Sequence, residues 1–369
     1  MPAVGQLRIR RQGLADMNVR VFLDTDYLKS RIWDLHTRDI MSLCSSFFPL
    51  PLHSAMESQA ADQIISRIPD DADRPILVAT DGCPHADTAL IAAAFLAGRV
   101  GANVHVFSVV ERSTPSYQKC DRTSASTHDI SEPRKLCRTR EKMREGIDMR
   151  RARVATQVAL TVGEAADWPI TVRGGPLDQT SEDIVTQSDA RLLVIGQRLP
   201  RRFDTQPGAC HGTHILMRRA IPIYIAAPTL RGIARRVVIA MDFSMAGVRA
   251  AHLARRLSAV DASVYLVHVL PKASAHELDE RRRRLQGIER SLRDGSDVRV
   301  ESILLLGDAA RETLSFAEGI RADVITCGTS SLPFLPSTRP YPPVIGRVTR
   351  DLIRQASCSM LIAPHMADL

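Results

Sequence analysis

The sequence predicts an α/β fold of two tandem, doubly wound domains, each a five-stranded parallel sheet with helices on both faces. Three observations predict it. One stretch occurs twice, as RPILVATDGCPHADTALIAAAFLAGRVGANVHVFSVVE at 74–111 and RVVIAMDFSMAGVRAAHLARRLSAVDASVYLVHVL at 236–270. A duplication on this scale has to be read before any single motif. Each copy runs from a short apolar segment ending in an aspartate (Asp81 or Asp242), through a turn and a helix-period pattern, to a second β-branched segment. Strands and helices then alternate to the end of each half, as a parallel sheet with crossover helices requires. A chain of 369 residues accommodates two such domains with a remainder.

In chain order, residues 1–70 resemble neither copy and form an N-terminal extension of unknown structure, in which SAMESQAADQIISRI at 54–68 reads as an amphipathic helix. The first domain is expected over 74–228. Its polar insert at 112–133 has no apolar period and reads as a surface excursion. A long basic helix over about 134–166 follows, then a short strand in PITVRGG and a helix beginning near Asp178. ARLLVIGQ reads as a buried strand, GTHILMRRA as a helix and IPIYIAAP as the last strand. The second domain, 236–365, repeats this plan. It has a charged helix over 273–294, a strand in VRVESILLLGD, helix AARETLSFAEGI and strand ADVITCGT. A proline-rich loop, helix GRVTRDLIRQA and strand SCSMLIAP complete it.

Composition narrows the function classes. With only 4% aromatic residues, the cores must rest on Ala, Val, Leu and Ile. Much of the formal charge of +8 lies in 134–153 and in the run Arg281–Arg284. Both read as solvated helix faces, with an anionic partner as the competing reading. No nucleic-acid-binding signature accompanies them, so no specific nucleic acid is expected. Seven scattered cysteines without a CxxC pair fit a reducing compartment, and no apolar run is long enough for a membrane span. The basic start lacks the apolar core and cleavage site of a secretion signal, so a cytoplasmic location is expected. There is no GxxxxGK[ST], GxSxG or HExxH motif, and neither a catalytic residue nor an enzymatic activity is expected.

The pieces ILVATDG, VHVFSVVE, LLVIGQ and GTHILMRRAIPIYIAAP resemble the universal stress protein family, a nucleotide-binding, Rossmann-like α/β fold often found as tandem domains. VVIAMDFS, VYLVHVL, DVITCGT and GRVTRDLIRQASCSMLIAP resemble it in the second half. The resemblance implies a pseudo-dimer paired through the last strands, with further homodimerisation open, a stress-response regulatory role, protein partners, and a contact from Asp81 and Asp242 to a bound nucleotide such as ATP. It places Val109 and Val269 along an adenine pocket, and Gly196, Gly212, Thr213, Gly328 and Gly346 in the phosphate loop. Glycines there let backbone N–H groups approach phosphate oxygens at a helix start.

The sequence departs from the family's G-x2-G-x9-G-[S/T] loop. Leu199 and Ser331 stand at the second glycine, both loops are longer, and the second half ends in Gly346–Arg347 without the hydroxyl. The expectation is therefore weak nucleotide binding in the first half and a degenerate site in the second. Its alternatives are an interaction module that binds no nucleotide and, behind that, an ATP-using enzyme of the wider α/β class. Each position also has a structural reading: Asp81 and Asp242 as turn or cap carboxylates, the valines as sheet core, Gly212–Thr213 as a helix start. Arg347 is a second candidate for an anion. Cys83, near the first helix, reads as a packing residue or a redox thiol. The cluster Cys210, His211 and His214 has too few neighbours for a zinc site, and no metal is expected.

Overall fold

The computed structural model describes residues 74–83, 86–111, 132–197, 221–293, 298–329 and 345–364. The N-terminal extension, most of the 112–133 insert, Leu199, the Cys210/His211/His214 cluster, Gly212–Thr213, helix GTHILMRRA and Ser331 lie outside the described residues.

The first half runs β1 (Ile76–Ala79), α1 (Asp87–Val100), β2 (Val104–Glu111), α2 (Glu132–Thr161), β3 (Ile170–Gly175), α3 (Leu177–Gln187), β4 (Leu192–Gly196), β5 (Ile223–Ala226). The second runs β6 (Arg236–Ala240), α4 (Met245–Leu257), β7 (Ser263–Leu270), α5 (Ala275–Arg293), β8 (Arg299–Leu306), α6 (Ala309–Gly319), β9 (Val324–Gly328), α7 (Arg347–Gln355), β10 (Ser359–Ala363). All ten strands form one sheet in the order β3-β2-β1-β4-β5-β10-β9-β6-β7-β8. Every neighbouring pair is parallel except β5 and β10, which join the halves antiparallel with Ile225 opposite Met360 and Tyr224 opposite Leu361. The strand order reverses between β1 and β4 and again between β6 and β9. Those are the switch points beside which open α/β sheets bind ligands, at the carboxyl ends of the strands.

The strand sequences explain the layers. β1, β4, β9 and β10 are almost wholly apolar and buried nearly throughout, with Thr326 and Ser359 the buried polar residues among them, as strands covered on both faces must be. Ile76, Val78, Leu192, Val194, Val237 and Ile239 point to one face, where Ala89, Ala93 and Leu90 of α1, Val154 and Val158 of α2, Ala251 of α4 and Leu285 of α5 cover them. Leu77, Leu193, Ile223, Val238, Ile325 and Ile362 point to the other, beneath Ile184 of α3, Ala310 of α6 and Leu352 of α7. Alanine-rich faces let α1 and α4 lie close to the sheet, which offsets the scarcity of aromatic residues. α1 ends at Gly101, whose φ of 66° closes the helix in the left-handed conformation with its N–H on the Ala97 carbonyl. Arg99 at that end donates from Nε to the Ser258 carbonyl of the other half, 2.8 Å away.

Candidate functional site

In the first half the carboxyl edge is built from the loop after β1 and from α2. Asp81 Oδ1 accepts from the Cys83 N–H at 3.0 Å, which closes an Asx-turn. Gly82 follows at φ 73°, a conformation that glycine adopts without strain. Helix α2 runs antiparallel to the strands and carries side chains onto this loop. Gln157 donates to the Cys83 carbonyl at 2.9 Å and to Asp87 at 2.6 Å, and its amide oxygen accepts from buried Thr80 at 2.8 Å. Two turns nearer the edge, Arg150 Nη1 donates to the Asp81 carbonyl at 2.6 Å and reaches Ser108 Oγ at 3.5 Å. The stem of Arg153 lies over Gly82, where an added Cβ would meet its Cδ at 2.8 Å. Val109, at the end of β2, is half-buried on the α3 face. Gly196 closes β4, and the next residue, Gln197, donates from Nε2 to the Ala356 carbonyl of the second half at 2.9 Å.

The second half reuses the plan with other side chains. Asp242 Oδ1 accepts from both the Ser244 N–H at 2.9 Å and its hydroxyl at 2.6 Å, and Ser244 in turn caps α4 by accepting from the Gly247 N–H. Phe243 stands where the first half has Gly82, at φ 60°, the left-handed region that bulky residues rarely enter. Its ring lies 4.6 Å from the His268 ring and 4.6 Å under the Arg284 guanidinium, with Arg281 at 5.8 Å. His268 Nδ1 is 2.7 Å from the Met241 carbonyl and must donate to it. Burial holds this imidazole below its ordinary pKa; the Met241 hydrogen bond opposes the shift, Arg281 reinforces it, Asp242 opposes it and Arg284 reinforces it. Gly328 at the end of β9 is walled in by α4, since an added Cβ would sit 2.8 Å from Ala246 Cβ and 2.9 Å from the Gly247 nitrogen. Its carbonyl accepts from Thr349 Oγ1 at 2.7 Å. Gly346 precedes α7 with its own N–H on the Thr329 carbonyl, and Arg347 turns away to pair with Asp308 at 2.9 Å. Val269 packs on the α6 face.

Comparison with known proteins fits this arrangement. The sequence model of the universal stress protein family matches the chain twice, at residues 74–204 and 234–364. The chain belongs to the universal stress protein family. Among solved structures, it is similar to a universal stress protein from Archaeoglobus fulgidus DSM 4304 at 17% identity and TM-score 0.54, over 79% of this chain and 96% of that one. It is similar to a putative universal stress protein from Pseudomonas aeruginosa UCBPP-PA14 at 13% identity and TM-score 0.51, over 80% of this chain and 94% of that one. No curated protein matches it by sequence.

Within this tandem universal stress protein, Asp81, Val109 and Gly196 gather at one carboxyl edge, and Asp242, Val269, Gly328 and Gly346 at the other. Sequence reasoning missed Arg150, Arg153, Phe243 and His268. The arginines were hidden in a run read as solvated surface. The signal that finds them is helical phase: Val154 and Val158 are buried against the sheet, so 150, 153 and 157 lie beside that stripe. Cys83 sits in the turn ahead of α1 rather than in the helix. Cys327 and Cys358 are pushed up to about 12 and about 11 by burial, and their thiols stay protonated. Among the described residues no group of three or more His, Cys, Asp or Glu could hold a metal ion, and no helix is long and apolar enough to cross a membrane.

Proposed function

We propose that this tandem universal stress protein is a cytoplasmic stress-response regulator that binds an adenine nucleotide, such as ATP, in its first half only, and works through protein partners rather than by catalysis. Asp81, Val109, Gly196, Gly212 and Thr213 would form the retained site. Asp242, Val269, Gly328 and Gly346 would be its degenerate counterpart. The observation that carries this reading is the asymmetry of the two carboxyl edges. In the second half, Phe243 fills the space above the loop with its own ring, and Arg347 is held by Asp308. In the first half the matching loop carries only Gly82, beneath the flexible stem of Arg153.

Calorimetry of the full chain with ATP, with and without magnesium, tests it. The expected result is one site per chain, abolished in Gly212→Glu and unchanged in Asp242→Asn. No heat of binding would refute the ligand reading. It would favour the interaction module, for which both Asx-turns already account for the two aspartates as structural carboxylates.

A further inference from the structure

We propose that Arg150 and Arg153 of α2 supply the positive charge that receives the phosphates of the nucleotide in the first half, in place of charge that a complete glycine loop would provide. The inference rests on the reading above and extends it to two residues outside the family's loop pattern.

Three observations carry it. The first is position. Both arginines reach the loop after β1 at the carboxyl edge, Arg150 on the side of Ser108 in β2 and Arg153 over Gly82, and β1 is one of the two strands that flank the switch point. The second is unused donor capacity. Among the described residues, Arg150 bonds a carbonyl and a hydroxyl only, and the Arg153 guanidinium makes neither a hydrogen bond nor an ion pair. A guanidinium anchored on one N–H keeps the rest of its donor fork for planar oxyanions. Arg150 is thus already oriented, while Arg153 has only its stem fixed.

The third observation is the second half, which repeats the device. Pairing of Ala79 with Phe107 and of Ala240 with Val267 puts Ser108 and His268 at equivalent positions. Arg153 and Arg284 each immediately precede a fully buried residue of the second helix, Val154 and Leu285. Arg150 and Arg153 therefore correspond to Arg281 and Arg284, at the same spacing and over the same loop. In the second half the Phe243 ring lies beneath Arg284. In the first half the glycine leaves that guanidinium without a ring. One arginine pair is stacked by its own chain, and the equivalent pair is left for a ligand.

The test compares ATP and adenosine binding by the full chain and three variants, Arg153→Gln, Arg153→Lys and Arg151→Gln. Arg151 is an exposed neighbour on the same helix, so its variant carries the same charge change without facing the loop. The expected result is a loss of roughly tenfold or more in ATP affinity for Arg153→Gln, with partial recovery in Arg153→Lys. Adenosine binding should stay unchanged, and Arg151→Gln should behave as wild type. If Arg153→Gln binds ATP as tightly as wild type, or loses ATP and adenosine equally, the arginine assignment is overturned while nucleotide binding stands. If wild-type protein binds neither ligand, the nucleotide reading falls and takes this inference with it.

Discussion

Gly328 separates two explanations of a glycine at the carboxyl edge. The family resemblance assigns it to a loop where backbone approaches phosphate, whereas the geometry gives it a packing role that needs no ligand. Its backbone is ordinary strand, so replacement by alanine imposes no φ penalty. The added methyl would lie 2.8 Å from Ala246 Cβ and 2.9 Å from Ala246 C and Gly247 N. Two of those three atoms are backbone of α4, which cannot swing aside as a side-chain tip can. Overpacking of this kind costs ~1–3 kcal/mol, and loss of glycine's freedom in the unfolded chain returns ~0.4–1 kcal/mol, so Gly328→Ala should destabilise by about 1–2 kcal/mol net. Gly287 supplies the opposite sign. It lies inside α5 with nothing within 4 Å of an added Cβ, and Gly287→Ala should stabilise by about 1 kcal/mol through helix propensity. Urea unfolding of the ligand-free protein, followed by circular dichroism, measures both. Full wild-type stability in Gly328→Ala would show that α4 does not close on that glycine and would refute its packing role.

Three further outcomes are expected. His252 is buried, its Nε2 has no hydrogen-bond partner among the described residues, and burial followed by Arg255 lowers its pKa to about 4. The unfolded chain therefore binds the proton more readily; stability is complete above roughly pH 6.5 and falls by about 3 kcal/mol as pH drops towards 4, a slope that His252→Leu should flatten in urea titrations run across that window. Asp308 caps α6 by accepting from the Ala310 and Arg311 N–H groups, both at 3.1 Å, so Asp308→Ala should cost about 1 kcal/mol and free Arg347, with unfolding midpoints as the measure and no change refuting the cap. Ser359, buried where the halves meet, accepts from the Ala227 N–H at 3.1 Å and shares a hydrogen bond with Tyr224, whose hydroxyl burial pushes up to about 12; Ser359→Ala should cost ~1–3 kcal/mol by leaving those groups unpaired, and hydrogen exchange across β5 and β10 should rise with it.

The scaffold was legible because its signals are local. Runs such as LLVIG and VITCG can only be strands covered on both faces, and the strand–helix alternation leaves a parallel sheet as the consistent solution. The charged second helix was expected at 273–294 and is found at Ala275–Arg293, its start set by Ser274, which exchanges hydrogen bonds with Glu277. The carboxyl edges were legible only where a residue belongs to the strand itself. Asp81 and Asp242 mark their strand ends in any reading. Arg150 reaches Asp81 from 69 residues away, and which arginines of a basic run face the sheet depends on a helical phase that Val154 and Val158 fix only once the helix is docked. Phe243 was illegible for a different reason: propensity argues against an aromatic residue at φ 60°, and tertiary stacking overrides it.

The two halves solve one packing problem in two ways, and the solutions are not interchangeable residue by residue. A loop that turns through the left-handed region after an aspartate leaves space between itself, the second strand and the second helix. In the first half glycine makes the turn, Ser108 stays small, and the stem of Arg153 fills the gap while its charged end stays outside. In the second half a phenylalanine makes the turn at a steric cost of order 1–3 kcal/mol. It recovers that cost only because His268 replaces the serine beneath it and Arg284 lies above it. Placing Phe at 82 without a histidine at 108 would put a ring into Arg153 with nothing to stack on. Placing Gly at 243 would strand His268 beside two guanidinium groups. The difference between the edges therefore belongs to a coupled set, Gly–Ser–Arg against Phe–His–Arg, and the coupling puts a flexible arginine stem over one loop and a stacked ring over the other.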